Sequence, residues 1–257
     1  MRTSRAPSSF HRILYCFVAA LTCLAATQAF AETSTPVIVE LFTSEGCSSC
    51  PPADVLLRTL DATQPVGGVH LIVLGEHVDY WDGLGWKDTF SSHAFTVRQT
   101  VYADRLHLAS PYTPQMVVDG SFEVLGSDGK RANEAFEKAR ALPKVDVRIS
   151  AARFDSGKVK AHIETGALPP GAEVFAALAL EHAQSQVLRG ENGGHRLEHV
   201  AVVTNLSRVG QIARSEAFAK DISLGGIQPN QTYRLIAFIQ QRKQGSILGA
   251  AMAEVQK

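Results

Sequence analysis

Pro36 to Thr43 (PVIVELFT) is a continuous apolar, β-branched run, and a strand without in-out alternation is one buried on both faces. Ala53 to Leu60 follows with Val55, Leu56, Leu57 and Leu60 at helical spacing, and Val69 to Leu74 (VHLIVL) is a second buried strand. Phe90 to Leu108 is mostly helical in pattern. Gln115 to Asp119 and Ser121 to Leu125 form two strands joined through Asp119-Gly120, a strong hairpin signal. Asp128 then starts a helix through Leu142, with Ala135, Phe136, Ala139 and Leu142 on one face. A strand–helix–strand opening implies a right-handed crossover and a parallel pair, which the later hairpin extends antiparallel.

Beyond Pro143 the helical period mostly disappears. Val145, Val147, Ile149 and Ala151 alternate with polar residues, and Asp155-Ser156-Gly157 turns the chain into Val159, Ala161, Ile163 and Thr165. Further strand-like runs lie at Val174 to Leu180, Gln186 to Leu188, His199 to Val203, Tyr233 to Gln240 and Ile247 to Met252. Turn-punctuated strands at this spacing predict an antiparallel sandwich. The expected division is therefore a signal segment over 1–31, an α/β domain over 32–142 and a β-rich sandwich-like domain over 143–257. There is no internal repeat and no low-complexity linker.

The signal segment rests on Arg2, Arg5 and Arg12, an uncharged apolar stretch from Ile13 to about Leu24, and Ala29-Phe30-Ala31 as a small-x-small cleavage site. An uncleaved anchor helix is the alternative. Removing 1–31 leaves 226 residues with 22 basic and 25 acidic side chains, so the mature chain is mildly acidic and is expected in the periplasm or outside the cell. No later apolar run reaches the roughly 18 residues of a membrane span, and no stable membrane insertion is expected after cleavage. The balanced charge, without a long basic block, gives no electrostatic footprint for nucleic acid.

Cleavage also takes Cys16 and Cys23 away from the four cysteines. The remaining pair, Cys47 and Cys50, is too closely spaced to constrain the unfolded chain much, so chemistry explains it better than stability. Cys47-Ser48-Ser49-Cys50 lies four residues beyond the first strand and just ahead of a helix, where free backbone N–H groups favour a thiolate. An ordinary thiol, pKa about 8.5, is about 3% ionised at neutral pH; a pKa near 6 makes it about 90% ionised and requires about 3.4 kcal/mol of differential stabilisation. Cys47 is expected to be the exposed attacking thiol and Cys50 the buried resolving one. An inert surface disulfide is the plain alternative. A metal site is another, though two thiolates supply half a zinc shell and no partner motif is present.

His77 stands where the second strand ends, on the side where parallel strands collect ligands. A histidine there could relay a proton, while Tyr80, Trp81 and Trp86 could wall a groove; a loop folding its aromatics over the sheet accounts for the same residues. Arg189 to Arg196 (RGENGGHR) is a Gly-rich polar loop, either a long hairpin turn or a place to meet a partner.

The stretches Val39 to Asp54 (VELFTSEGCSSCPPAD), His77-Val78-Asp79-Tyr80-Trp81-Asp82, Gly85-Trp86-Lys87-Asp88, Tyr112-Thr113-Pro114-Gln115 and Arg189-Gly190-Glu191-Asn192 resemble an exported bacterial family catalogued as domain of unknown function 1223. The resemblance implies a thioredoxin-like fold with a β-rich C-terminal extension. It brings no established activity. In thioredoxin-like folds a cis-proline loop faces the dithiol, so the resemblance implies that Thr113 and Pro114 bind substrate there; a trans proline at a strand entry is the alternative. Two departures stand out. Pro51-Pro52 directly after Cys50 should delay the helix start, and the long segment from His77 to Ser110 is an insertion.

The leading functional expectation is an exported thiol–disulfide oxidoreductase with Cys47 and Cys50 catalytic and Thr113, Pro114, His77 and Trp81 binding substrate. Its partners would be protein or small-molecule thiols and disulfides, and it would need no cofactor. A Cu(I)-handling protein using both cysteines and His77 is the second reading. The third is a binding module that makes no catalytic use of the dithiol. Direction of redox chemistry and oligomeric state have no sequence signal.

Overall fold

The computed structural model describes residues 34–228 and 230–256, with Thr3 apart; the expected signal segment lies outside this range except for that residue. Thr33–Lys257 forms one compact unit. In the large sheet, β1 (Thr35–Thr43) and β2 (Val69–His77) pair in parallel from Thr35 opposite Val69 to Thr43 opposite His77. The crossover between them is α1 (Pro51–Thr63), which buries Ala53, Leu57 and Leu60. α2 (His93–Arg105) begins at Ser92, whose hydroxyl accepts from the Ala94 N–H at 3.3 Å. The hairpin through Asp119-Gly120 is present as β3 (Gln115–Val118) and β4 (Phe122–Leu125), with β3 antiparallel to β1. α3 (Gly129–Arg140) buries Ala132, Ala135, Phe136 and Ala139; Leu142 falls beyond its end.

The second half of the chain does not close as a sandwich of its own. It comprises β5 (Val147–Asp155), β6 (Lys158–Leu168), β7 (Glu173–Gln186), β8 (Arg196–Gln211), β9 (Glu216–Leu224), β10 (Tyr233–Gln240) and β11 (Ile247–Glu254). Four of these join the first half in one mixed sheet of order β11-β10-β7-β8-β2-β1-β3-β4, while β5, β6 and β9 form a separate three-stranded sheet. The joint is a parallel contact between β2 and β8 at Gly75 opposite Val202. A Cβ at Gly75 would stand 3.1 Å from the Val200 carbonyl oxygen, so the missing side chain lets β8 approach.

The physical reason for the difference lies in β7 and β10. Val174, Leu178, Leu235 and Ile239 pack with the three-stranded sheet, while Ala177, Ile236 and Phe238 pack with the core that the helices cover. These strands are apolar on both faces, and a sandwich with a wet outer face would alternate. Two further cross-links bind the halves. Arg234 of β10 donates to both carboxylate oxygens of Asp61 on α1, at 2.7 and 3.1 Å. Asp119 accepts from the Ile38 N–H at 3.0 Å and pairs with Lys144.

A fragment ending at Leu142 would expose the β2 edge that β8 covers. The chain from residue 32 to 257 should therefore melt in one cooperative transition by circular dichroism, and the 32–142 fragment should show none. A cooperative melt of that fragment would mean the first half closes its own core.

Candidate functional site

The dithiol turn links the end of β1 to α1. Cys47 and Cys50 form a disulfide with a Cα–Cα distance of 5.4 Å. Cys50 is the N-cap of α1 and Pro51 its first residue, the late helix start that the two prolines imply. The Cys50 N–H donates to the Cys47 carbonyl at 3.2 Å, and the Cys50 carbonyl accepts from Ala53 and Asp54 at 2.8 and 3.1 Å. Neither cysteine has exposed surface. This corrects the expectation of an exposed Cys47.

Three segments gather around the turn. On one side the Thr113–Pro114 peptide is cis, directly ahead of β3. Ser49 Oγ lies 3.5 Å from the Thr113 carbonyl and 3.4 Å from Cys47 Sγ. A Cβ on Gly126 would come within 2.9 Å of Pro114 and 3.2 Å of Ala53, so the bare glycine lets the proline loop and the first turn of α1 close in around it. Trp81, from the long insertion, donates its indole N–H to Thr113 Oγ1 at 2.8 Å and stacks its Cβ against Gly46, where an added Cβ would sit 3.0 Å away.

The third segment is the β7–β8 connection, from the Gly-rich loop. The Ser48 N–H donates to Glu191 Oε2 at 3.0 Å. Buried Asn192 donates its amide to the carbonyls of Glu45 and Cys47, at 2.8 and 2.9 Å. Gly190 lies against Gly85 and Trp86: a Cβ on Gly190 would meet Trp86 at 3.2 Å.

His77 is gathered to the site but placed behind it, 1% exposed. Its Nδ1 pairs with Asp88 at 2.7 Å, and its ring meets that of His199 at 4.7 Å between centroids. Burial alone would depress the His77 pKa, but the Asp88 carboxylate, by charge and hydrogen bond, raises it above the ordinary histidine value. Burial would likewise raise Asp88; the His77 cation holds it below the ordinary carboxylate range. Asp88 also accepts the Glu45 N–H at 2.9 Å, tying this pair to the dithiol turn. Burial raises the Asp54 carboxyl, partly offset by His199, His77 and the Thr43 hydroxyl, which donates to it at 3.0 Å. His199 stands between Glu45 at 3.4 Å and Asp54 at 3.8 Å. As positioned, His77 supports the turn and does not face a substrate.

Sequence reasoning picked out Cys47, Cys50, Trp81, Thr113 and Pro114, which converge here. Glu45, Asp54, Asp88, Glu191 and Asn192 fall within the stretches that carry the family resemblance but were given no role, and His199 was passed over. Trp86 in the insertion, whose indole N–H donates to Glu45 at 2.7 Å, was legible as an aromatic near the site. Beside the turn, a cavity of about 510 Å³ is lined by Ser48, Pro52, Asp54, Arg58, His195 and Leu197, among others. Among the described residues no group of three or more His, Cys, Asp or Glu is arranged to hold a metal ion.

Replacing Asp88 by Asn keeps an acceptor for His77 while removing the charge. The loss should be about 3 kcal/mol near pH 6, the scale of breaking a buried pair. Because His77 is raised and Asp88 lowered on folding, the pair stabilises only where both are charged. The deficit in chemical denaturation should therefore shrink as pH rises through the His77 titration, and shrink again as pH falls through that of Asp88. A deficit independent of pH would show that the loss comes from the bonds Asp88 accepts from the Glu45 and Phe90 N–H groups and not from its charge.

No curated protein matches the chain. A crystal structure of a protein from Agrobacterium tumefaciens is similar to it, 28% identical with a TM-score of 0.63, over 85% of this chain and 94% of that one. The family model described as protein of unknown function (DUF1223) matches residues 38–240, which include the dithiol turn, Thr113–Pro114 and the Glu191–Asn192 loop, and the chain belongs to that family.

Proposed function

We propose that the protein is an exported thiol–disulfide oxidoreductase with a thioredoxin-like active site. One observation carries the reading: a cysteine pair three apart, bonded to each other at a strand-to-helix turn, lies across from the cis Thr113–Pro114 peptide. A disulfide closing so small a loop contributes little to stability, and the surrounding hydrogen bonds already define the turn. Its value is chemical.

In the oxidised form a substrate thiolate attacks Cys47 Sγ and the Cys47–Cys50 bond breaks. Cys50 leaves as a thiolate and takes a proton. A second substrate thiolate then attacks the substrate sulfur of the mixed disulfide and releases Cys47, so the substrate leaves oxidised and the protein reduced. The reduced protein runs the same steps backwards on a substrate disulfide. Thr113 and Pro114 would orient the substrate chain, with Trp81 fixing Thr113 through its side-chain hydroxyl. The opening of about 510 Å³ at Ser48 and Pro52 offers a place for substrate beside the dithiol turn.

Cys50→Ser, expressed in the native compartment, should accumulate covalent adducts on Cys47 that reducing agent releases, since the resolving thiol is gone. Cys47→Ser should give far fewer. Electrophoresis with and without reductant reads both. Absence of adducts in both variants, together with a reduced wild type that cannot cleave a model disulfide, would sink the proposal.

A further inference from the structure

We infer that Glu191, reaching over from the β7–β8 connection, is a positioning residue that sets the reactivity of Cys47 by occupying the backbone N–H next to it. The inference rests on the oxidoreductase reading of the same turn and adds a residue that governs it.

The geometry is specific. Of the backbone N–H groups in Cys47-Ser48-Ser49-Cys50, those of Cys47 and Cys50 donate to main-chain carbonyls, of Ser44 and Cys47 respectively. The Ser48 N–H, which follows the attacking cysteine directly, is held by a carboxylate brought from 143 positions away in sequence. A backbone N–H left free beside a cysteine can stabilise its thiolate by a charge-assisted hydrogen bond; α1 begins only at Pro51, so the Ser48 N–H is a donor of the turn and not of the helix. Here that donor is already committed, and the group committing it is negatively charged. The Ser48 N–H in turn holds Glu191 below the ordinary carboxylate range, so the charge is present through neutral pH.

Glu191 does not sit there by accident of a loose loop. Asn192 anchors the loop to the carbonyls on both sides of Gly46, and Gly190 fits against Gly85 and Trp86 where a side chain would crowd them. The other titratable groups packed about the turn are Glu45, Asp54, His77, Asp88 and His199; all are buried and face one another on the inner side. The neighbouring cavity is lined by Arg58, Arg196 and Glu198, with Arg58 and Glu198 paired at 3.4 Å, by His195, and by Asp54 at its inner edge. Glu191 is the exposed carboxylate held at the outer side of the turn.

When the disulfide opens, a thiolate forming at Cys47 finds the Ser48 N–H taken by a carboxylate, which leaves the Ser49 hydroxyl, 3.4 Å from the sulfur, as its neighbouring donor. Two consequences follow: the thiolate is disfavoured, and an incoming thiolate is repelled from the closed disulfide. Both keep the pair from reacting with every small thiol it meets. A substrate that supplies its own cation near Glu191 would draw the carboxylate off the Ser48 N–H and release the donor to the sulfur. The expected substrate is therefore a thiol or disulfide flanked by positive charge.

The test measures the pH dependence of iodoacetamide alkylation in the reduced full-length protein, with thiolate ultraviolet absorbance as a second readout that needs no access to the sulfur. Glu191→Gln, which retains an acceptor oxygen but no charge, should lower the midpoint by about half a pH unit, making thiolate about threefold more abundant well below it. Raising the salt should narrow the gap between variant and wild type. Asn192→Ala, which removes the anchor that keeps Glu191 at the Ser48 N–H, should move the midpoint in the same direction as Glu191→Gln. Glu164→Gln, remote on β6, should change nothing. With Glu191→Gln, the preference for a model peptide disulfide flanked by lysines over one flanked by glutamates should fall severalfold. A wild type that traps substrates while Glu191→Gln leaves both midpoint and preference unchanged would overturn this inference and leave the oxidoreductase reading intact. Failure of trapping would remove the reading itself.

Discussion

A carboxylate in the middle of a strand covered on both faces has to be matched inside the protein, and Glu40 in β1 is such a group. Arg98 of α2 donates its Nε to Glu40 at 2.5 Å, and Tyr102, one turn on, donates its hydroxyl to the other oxygen at 2.5 Å. The same guanidinium lies 3.6 Å from Glu76 on β2, donates to the Gln240 side chain on β10 at 3.2 Å, and sits over the rings of Tyr102, Phe175 and Phe238. One side chain therefore fixes where α2 lies and links strands from both halves of the large sheet. Two carboxylates share this single cation; burial first, and then the charge of Glu40, push Glu76 well above the usual carboxylate range.

Because α2 is held on that side, the long insertion that precedes it has to cross from the end of β2 past the dithiol turn. It leaves Trp81, Trp86 and Asp88 there on the way, each engaged with a different residue of the neighbourhood: Thr113, Glu45 and His77. The inner side of the turn is a set of buried, paired ionisable groups and the outer side a cavity mouth. Glu191 and Asn192, from the far half of the chain, hold the main chain of the turn between them.

The local features were legible in the sequence because their signals are local. Residues 36–43 and 69–74 lack alternation and form the buried parallel pair; Asp119-Gly120 forms its hairpin; Pro51-Pro52 starts α1 just after Cys50. The sheet's continuation through β8, β7, β10 and β11 was not, since apolar runs such as Val174 to Leu180 announce burial on both faces but not which strand lies alongside. β9 was passed over altogether: Glu216 to Leu224 (EAFAKDISL) is exposed along most of its length and has little apolar pattern to read. Glu191 and Asn192 looked like turn residues because their partners, Ser48 and the carbonyls of Glu45 and Cys47, are fixed only by the fold. Asp88 and His199 carry no spacing motif at all; only the meeting of β2, β8 and the insertion gives them a common purpose.

The joint at Gly75 and Val202 also has a consequence for how the chain assembles. Pairing β2 with β8 closes a loop of more than a hundred residues, and contacts that distant form late because the chain must first surrender the entropy of everything between them. The cysteine turn is made from neighbours in sequence, but its cover arrives only with that late event. During synthesis from the N-terminus, Cys47 and Cys50 emerge long before Glu191 and Asn192 exist to shield them. The nascent protein thus passes through an interval in which the turn exists without the loop that later holds it, and Glu191 and Asn192 reach it only when β8 has taken its place beside β2.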